Sequence, residues 1–374
     1  MDLSLNEHQR MLAQSARTFM QRRMPKDAIV ALQNSETGFE PQTWRTVAEL
    51  GWLGLLIPPQ YGGGGASLTD AAVLYEEFGR GPMPGPFFSS GVLSALTVLE
   101  AGTEEQRRRI LPEIAAGRQI HTVAITEPNR SWGPQGVAME PRRAGKGYVL
   151  NGVKLFVADA VAASHLILAV RTGSGADGIS LIVLDKAAKG VSARNLPGLL
   201  SWQGEISFDN VEVAAGALLG DRENSGWAAL SRAMERALPV LCAYQVGSCQ
   251  AAFEMSVAYS NTRVQFGVPI GRFQRVQDHI VRLVNHLDAA RWTTYEALWK
   301  LDSGRPAADS VHLAKAVTAE AHMEACNAAH EVHAGIGTAH EYGLTPHTQM
   351  SRTLFNYLGD PKWHKRRMAD VLQW

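Results

Sequence analysis

Tyr148 to Val157 reads YVLNGVKLFV, two β-type runs (Tyr148 to Leu150 and Val153 to Val157) either side of Asn151-Gly152, a pair that favours a tight turn. Runs of the same kind lie around it: His121 to Ile125, Leu166 to Val170, Ile179 to Leu184 and Glu205 to Phe208. Gly145, Gly147 and the stretch Gly173 to Gly178 supply further turns. Residues 121–220 are therefore read as a small β domain.

On both sides the period changes to that of helices. Upstream, Leu5, Leu12, Ala16 and Phe19 share one stripe, and Leu68 to Phe78 and Glu104 to Ala116 continue the pattern between the breaks Pro58-Pro59, Gly62 to Gly65 and Gly81 to Pro86. Downstream, Val276, Ile280, Leu283, Leu287, Ala290, Thr294, Leu298 and Leu301 recur every three or four residues, Pro306 opens the next helix, and Gly335 and Gly337 close it. The expected order is a helical domain over 1–120, the β domain over 121–220 and a helical domain over 221–374, an α+β chain.

The 374 residues carry 36 basic and 36 acidic side chains, which argues against an electrostatic grip on nucleic acid or an anionic membrane. An anionic ligand must be held by local groups. No run approaches the roughly 18 apolar residues of a membrane span, and residues 1–23 lack the basic start and apolar core of a signal peptide. Cys242, Cys249 and Cys326 form no CxxC pair and fall in expected helices, which fits a reducing cytoplasm. The glycines 62–65 lack the Gly-Lys-Ser/Thr that would make them a phosphate loop, and His330 and His333 are three apart where HExxH zinc helices need four, so no metal site is expected.

Pro58 to Gly65 (PPQYGGGG), Ala124 to Pro128 (AITEP), Tyr148 to Ala160 (YVLNGVKLFVADA), Phe208 to Val213 (FDNVEV), Arg263 to Gln274 (RVQFGVPIGRFQ) and Glu331 to Gly337 (EVHAGIG) together resemble, in order and spacing, the acyl-CoA dehydrogenases. The resemblance implies that family's fold: an amino-terminal helical domain, a middle β-barrel-like domain and a carboxy-terminal four-helix bundle. It also implies FAD as cofactor and α,β-dehydrogenation of an acyl-CoA thioester, with a carboxylate removing the α-proton and flavin N5 accepting the β-hydride. An electron-transfer flavoprotein would reoxidise the flavin.

Carried over position by position, Ile125 and Thr126 are expected at the isoalloxazine edge, and Ser131 near the pyrophosphate and substrate. The stretch Asn129, Arg130, Ser131, Trp132 departs from the family's Gly-Ser-Asp and, with Ser131 taken as the motif serine, is one residue shorter. Phe156 stands where the family places a Trp beside the flavin, and Ala158 where it often has a Thr near N5; an aromatic in a strand is otherwise core. Arg263, Phe266, Gln274, Glu331 and Gly335 match residues serving the FAD of a neighbouring subunit. Arg263 suits a pyrophosphate because its planar fork makes paired charge-assisted bonds; a surface ion pair is the other reading. Glu331 replaces a Gln and Ala334 a Gly.

The family's catalytic Glu sits either in a loop near the carboxy terminus or on the helix opening the last domain. This chain reads Tyr357-Leu358-Gly359 at the first place and Met234-Glu235-Arg236 at the second, as in the isovaleryl-type branch. Glu235 is the expected base, with Arg236 beside the substrate; Glu next to Arg on a helix is otherwise a solvated face. Two functions stay open: an active dehydrogenase as a homo-oligomer, or a catalytically silent subunit paired with an unlike acyl-CoA dehydrogenase chain.

Overall fold

The computed structural model describes residues 4–33, 35–129, 131–175, 177–196, 198 and 202–374. The first stretch is helical: α1 (Glu7–Arg23), α2 (Lys26–Gln33), α3 (Pro41–Glu49), α4 (Leu68–Arg80), α5 (Ala95–Ala101) and α6 (Glu104–Ala115). Asn6, Ser67 and Thr103 start α1, α4 and α6 by reciprocal capping, each side chain accepting from the amide three residues on while that residue's side chain accepts from the cap amide. Between Pro86 and α5 lies a π-helical segment, Phe87–Ser94, whose wider turn a search for three-and-four spacing misses. Gly62 to Gly65 form a turn, and a Cβ on Gly63 would lie 2.1 Å from the Ile57 carbonyl oxygen.

The strands are β1 (His121–Ala124), β2 (Arg142–Ala144), β3 (Gly147–Ala158), β4 (His165–Arg171), β5 (Ile179–Asp185), β6 (Val191–Asn195) and β7 (Gln203–Val213). They form a three-stranded sheet β1-β4-β5 and a four-stranded antiparallel sheet β2-β3-β7-β6. Leu150, Val157, Leu166, Leu168, Ile206 and Phe208 meet in one core between them. The structure corrects the reading of Asn151-Gly152 as a turn: β3 runs straight through it. A bulge does fall here, but its extra residue lies on β7: two steps along β3, from Leu150 to Gly152, face three along β7, from Val211 to Phe208, with Asn210 at φ 50 and Gly152 at φ 140. The short strands β2 and β6 are exposed or half-exposed and carry no apolar alternation that would announce them.

After the sheets come α7 (Gly226–Thr262), a small hairpin of β8 (Val264–Gln265) and β9 (Val268–Pro269), then α8 (Gln274–Asp302), α9 (Ala308–His333), α10 (Thr345–Phe355) and α11 (Pro361–Leu372). Leu283, Leu287 and Ala290 of α8 pack with Ala321, Ala325 and Ala328 of α9 and with Val246 and Cys249 of α7. All three cysteines are buried thiols. No helix among the described residues is long and apolar enough to cross a membrane. The chain forms two compact units: one of Ser67–Met83, Leu238–Trp374 and the residues up to Gln33, the other of Pro84–Ala237 with residues 35–66.

Candidate functional site

The end of β3 carries the unusual backbone. A second register shift falls between Lys154 and Val157, and within it Phe156 takes φ 53; Asp159, just past the strand, takes φ 54. Positive φ is rare for residues other than glycine, and a bulge re-aims the side chain it contains. Here the effect is to turn an aromatic ring outward, leaving Phe156 37% exposed in a strand whose neighbours Lys154 and Val157 are buried. The segment leaving β1 runs alongside: the Leu155 amide donates to the Thr126 carbonyl at 2.8 Å, and the Thr122 hydroxyl to the Ala158 carbonyl at 2.7 Å. Ile125, Thr126, Phe156 and Ala158 are thereby brought together as one half-exposed platform.

A buried ion pair holds that platform. Lys154 is fully buried and its ammonium donates to Glu127 Oε1 at 2.7 Å, to the Ala169 carbonyl at 2.7 Å and to the Ile125 carbonyl at 3.2 Å. Glu127 in turn accepts from the amides of Ala138 and Met139, both at 3.0 Å. Burial lowers the Lys154 pKa to about 8, with Glu127 opposing that shift. Arg171 ties down the same loop through the carbonyls of Pro134 and Val137. Ser131 lies in this loop, its amide donating to the Asn129 side chain at 3.0 Å, while Arg130 is outside the described residues. Among the described residues, the Thr126 and Ser131 hydroxyls have no internal hydrogen bond. An outward aromatic face beside uncommitted hydroxyls fits the face and polar edge of a flavin.

Glu235 and Arg236 lie near the start of α7. Glu100 on α5 accepts from Arg236 at 2.9 Å and from Arg232 at 2.9 Å. Arg236 is therefore committed to Glu100 and does not neutralise Glu235. Among the described residues Glu235 makes no hydrogen bond or ion pair, and half-burial raises its pKa above the ordinary carboxylate value.

Arg263, Phe266, Gln274, Glu331 and Gly335 are all exposed. The β8–β9 hairpin turns through Phe266 and Gly267, both at positive φ, which leaves Phe266 93% exposed with its ring edge-on to Phe273. One turn before Arg263, Tyr259 stacks on His333 at 4.8 Å, so the hairpin and the α9 terminus share one end of their unit. Ala334 there takes φ 51, ψ −138, a conformation suited to glycine.

Sequence reasoning missed Lys154, Arg171, Glu100 and the Asp159 carboxyl. Lys154 did leave a signal, since a charged residue at an inward strand position requires a buried partner.

Three family models match the chain in order: the acyl-CoA dehydrogenase N-terminal domain over residues 6–118, the middle domain over 122–211 and the C-terminal domain over 224–373. A probable acyl-CoA dehydrogenase of Bacillus subtilis is 30% identical over 353 residues, covering 92% of each chain. An NADH-dependent acryloyl-CoA reductase of Anaerotignum propionicum is 28% identical, covering 98% of this chain and 94% of that one. The structure of butyryl-CoA dehydrogenase from Megasphaera elsdenii superposes with a TM-score of 0.92 at 23% identity over the whole of both chains, which shows a shared fold. With its sequence order, fold and curated relatives in agreement, the chain belongs to the acyl-CoA dehydrogenase family.

Proposed function

We propose that this chain is an FAD-dependent enzyme acting on the α,β-bond of an acyl-CoA thioester, with Glu235 as the base for the α-proton. The observation that carries this reading is the state of Glu235: half-buried, without a counter-ion among the described residues, and raised in pKa, while the neighbouring Arg236 is drawn off by Glu100. A base with that environment matches its proton affinity to the α-carbon better than a solvated carboxylate does. Bound FAD supplies the two-electron acceptor for the hydrogen leaving the β-carbon. Phe156 offers a face for the ring, Thr126 and Ser131 offer hydroxyls to orient it, and the Glu127–Lys154 pair keeps those groups in register. Arg263, Phe266, Gln274, Glu331 and Gly335 serve the cofactor of a neighbouring subunit, an electron-transfer flavoprotein takes the electrons, and residues 1–120, 121–220 and 221–374 act as the three functional domains. The acryloyl-CoA reductase among the relatives supports the reverse direction, reduction of an α,β-unsaturated thioester, as a second use of the same groups.

Glu235→Gln tests the assignment: turnover with an acyl-CoA panel should vanish while the flavin remains bound. Retained turnover refutes Glu235 as the base. A second reading, a silent subunit needing an unlike partner, is favoured by Ala334 in a glycine conformation and by the exposed carboxylate of Glu331. A chain that purifies alone as a yellow, active oligomer excludes it; a colourless one that gains flavin only with a partner supports it.

A further inference from the structure

Two carboxyls close to the β3 platform are buried in opposite ways. Glu127 is matched by a lysine and two backbone amides. Asp159 is equally inaccessible, yet among the described residues its side chain has one hydrogen-bond partner, the Ser89 hydroxyl, 2.5 Å from Oδ2. Its backbone is as constrained as its side chain: φ is 54, the amide donates to the Trp202 carbonyl at 2.5 Å, and the carbonyl accepts from Ala163 at 2.8 Å. Ser89 belongs to the π-helical segment, whose next residue, Ser90, accepts the His121 amide at the start of β1. The segment is therefore linked to both strands whose ends make the platform.

We propose that Asp159 is a positioning residue for the flavin platform: held by Ser89, it fixes the left-handed turn that sets Phe156 and Ala158 toward the cofactor. This rests on the flavin reading given above. Aspartate tolerates left-handed backbone better than most residues, which explains its place in the turn. Among the described residues no cation pairs with Asp159, and an unpaired charged carboxylate in a dry pocket is strongly disfavoured, which favours the neutral form. The titratable groups on the surrounding elements do not alter this: His121 on β1 is held neutral by burial, its pKa lowered to about 3, and the Lys186 ammonium bonds the carbonyls of Ala160 and Val161. Burial raises the Asp159 pKa to about 7, opposed only by the Ser89 hydrogen bond. The acid form thus prevails below neutrality and is lost as pH rises through that value.

The test is FAD affinity of the apoprotein, read by quenching of flavin fluorescence and independent of turnover. If only the neutral form binds, the wild-type Kd weakens roughly thirtyfold between about pH 5.5 and about pH 8.5. Asp159→Asn, which keeps the shape and cannot ionise, should bind FAD with a flat pH profile. Ser89→Ala removes the bond that fixes the turn, so its FAD affinity should be weaker than that of the wild type even at the lower pH. A flat wild-type profile, or an unchanged slope in Asp159→Asn, overturns the proposal while leaving the flavin reading intact. Failure of every form to bind FAD at the lower pH overturns both.

Discussion

Replacing Lys154 by Met removes a cation and leaves its partners in place. The Glu127 carboxylate, 7% exposed, would keep two amide donors and lose its one counter-ion among the described residues, and the Ala169 carbonyl would lose its lysine donor. Breaking a buried pair from one side typically costs about 3–5 kcal/mol, because the surviving charge stays desolvated. At roughly 2–4 °C per kcal/mol for a unit of this size, that is a fall of about 10 °C in melting temperature. The double variant Glu127→Gln/Lys154→Met should recover part of the loss, since an amide oxygen still accepts from Ala138 or Met139 without stranding a charge. A thermal-unfolding double-mutant cycle then gives a coupling of about 2 kcal/mol or more. FAD retention should fall in the single variant, because Lys154 also holds the Ile125 carbonyl of the platform. A Lys154→Met melting point within about 2 °C of the wild type, or strictly additive losses, refutes the reasoning.

With Glu235 as the proposed base, the acid limb of kcat/KM should titrate above the ordinary carboxylate value of 4.5, because the base works deprotonated and burial favours its acid form; a limb at or below that value excludes it as the base. Ala334→Gly should stabilise the fold by about 1 kcal/mol through relief of a strained φ/ψ pair, read as a higher denaturant midpoint. A lower midpoint means that the alanine methyl is packed rather than strained.

The helical stripes, the β runs and the motif order were legible in the chain because apolar periodicity and turn residues are local properties. Leu283, Leu287 and Ala290 announced the buried face of α8 in this way. The platform was legible only as a set of positions in the motif around Phe156. Its geometry depends on a bulge, and a bulge is a register relation between β3 and β7 that no single strand encodes. The apparent turn at Asn151-Gly152 fails for the same reason: pairing with β7 outweighs a two-residue turn preference. Charge partners were likewise invisible. Glu127 and Lys154 lie 27 residues apart, and Glu100 and Arg236 lie 136 apart. Sequence alone determined which residue types stand at the candidate site and on which elements. The tertiary structure decided which of them carry compensated charge, Arg236 being paired with Glu100 while Glu235 has no partner among the described residues: desolvation and ion pairing depend on neighbours in space, not along the chain.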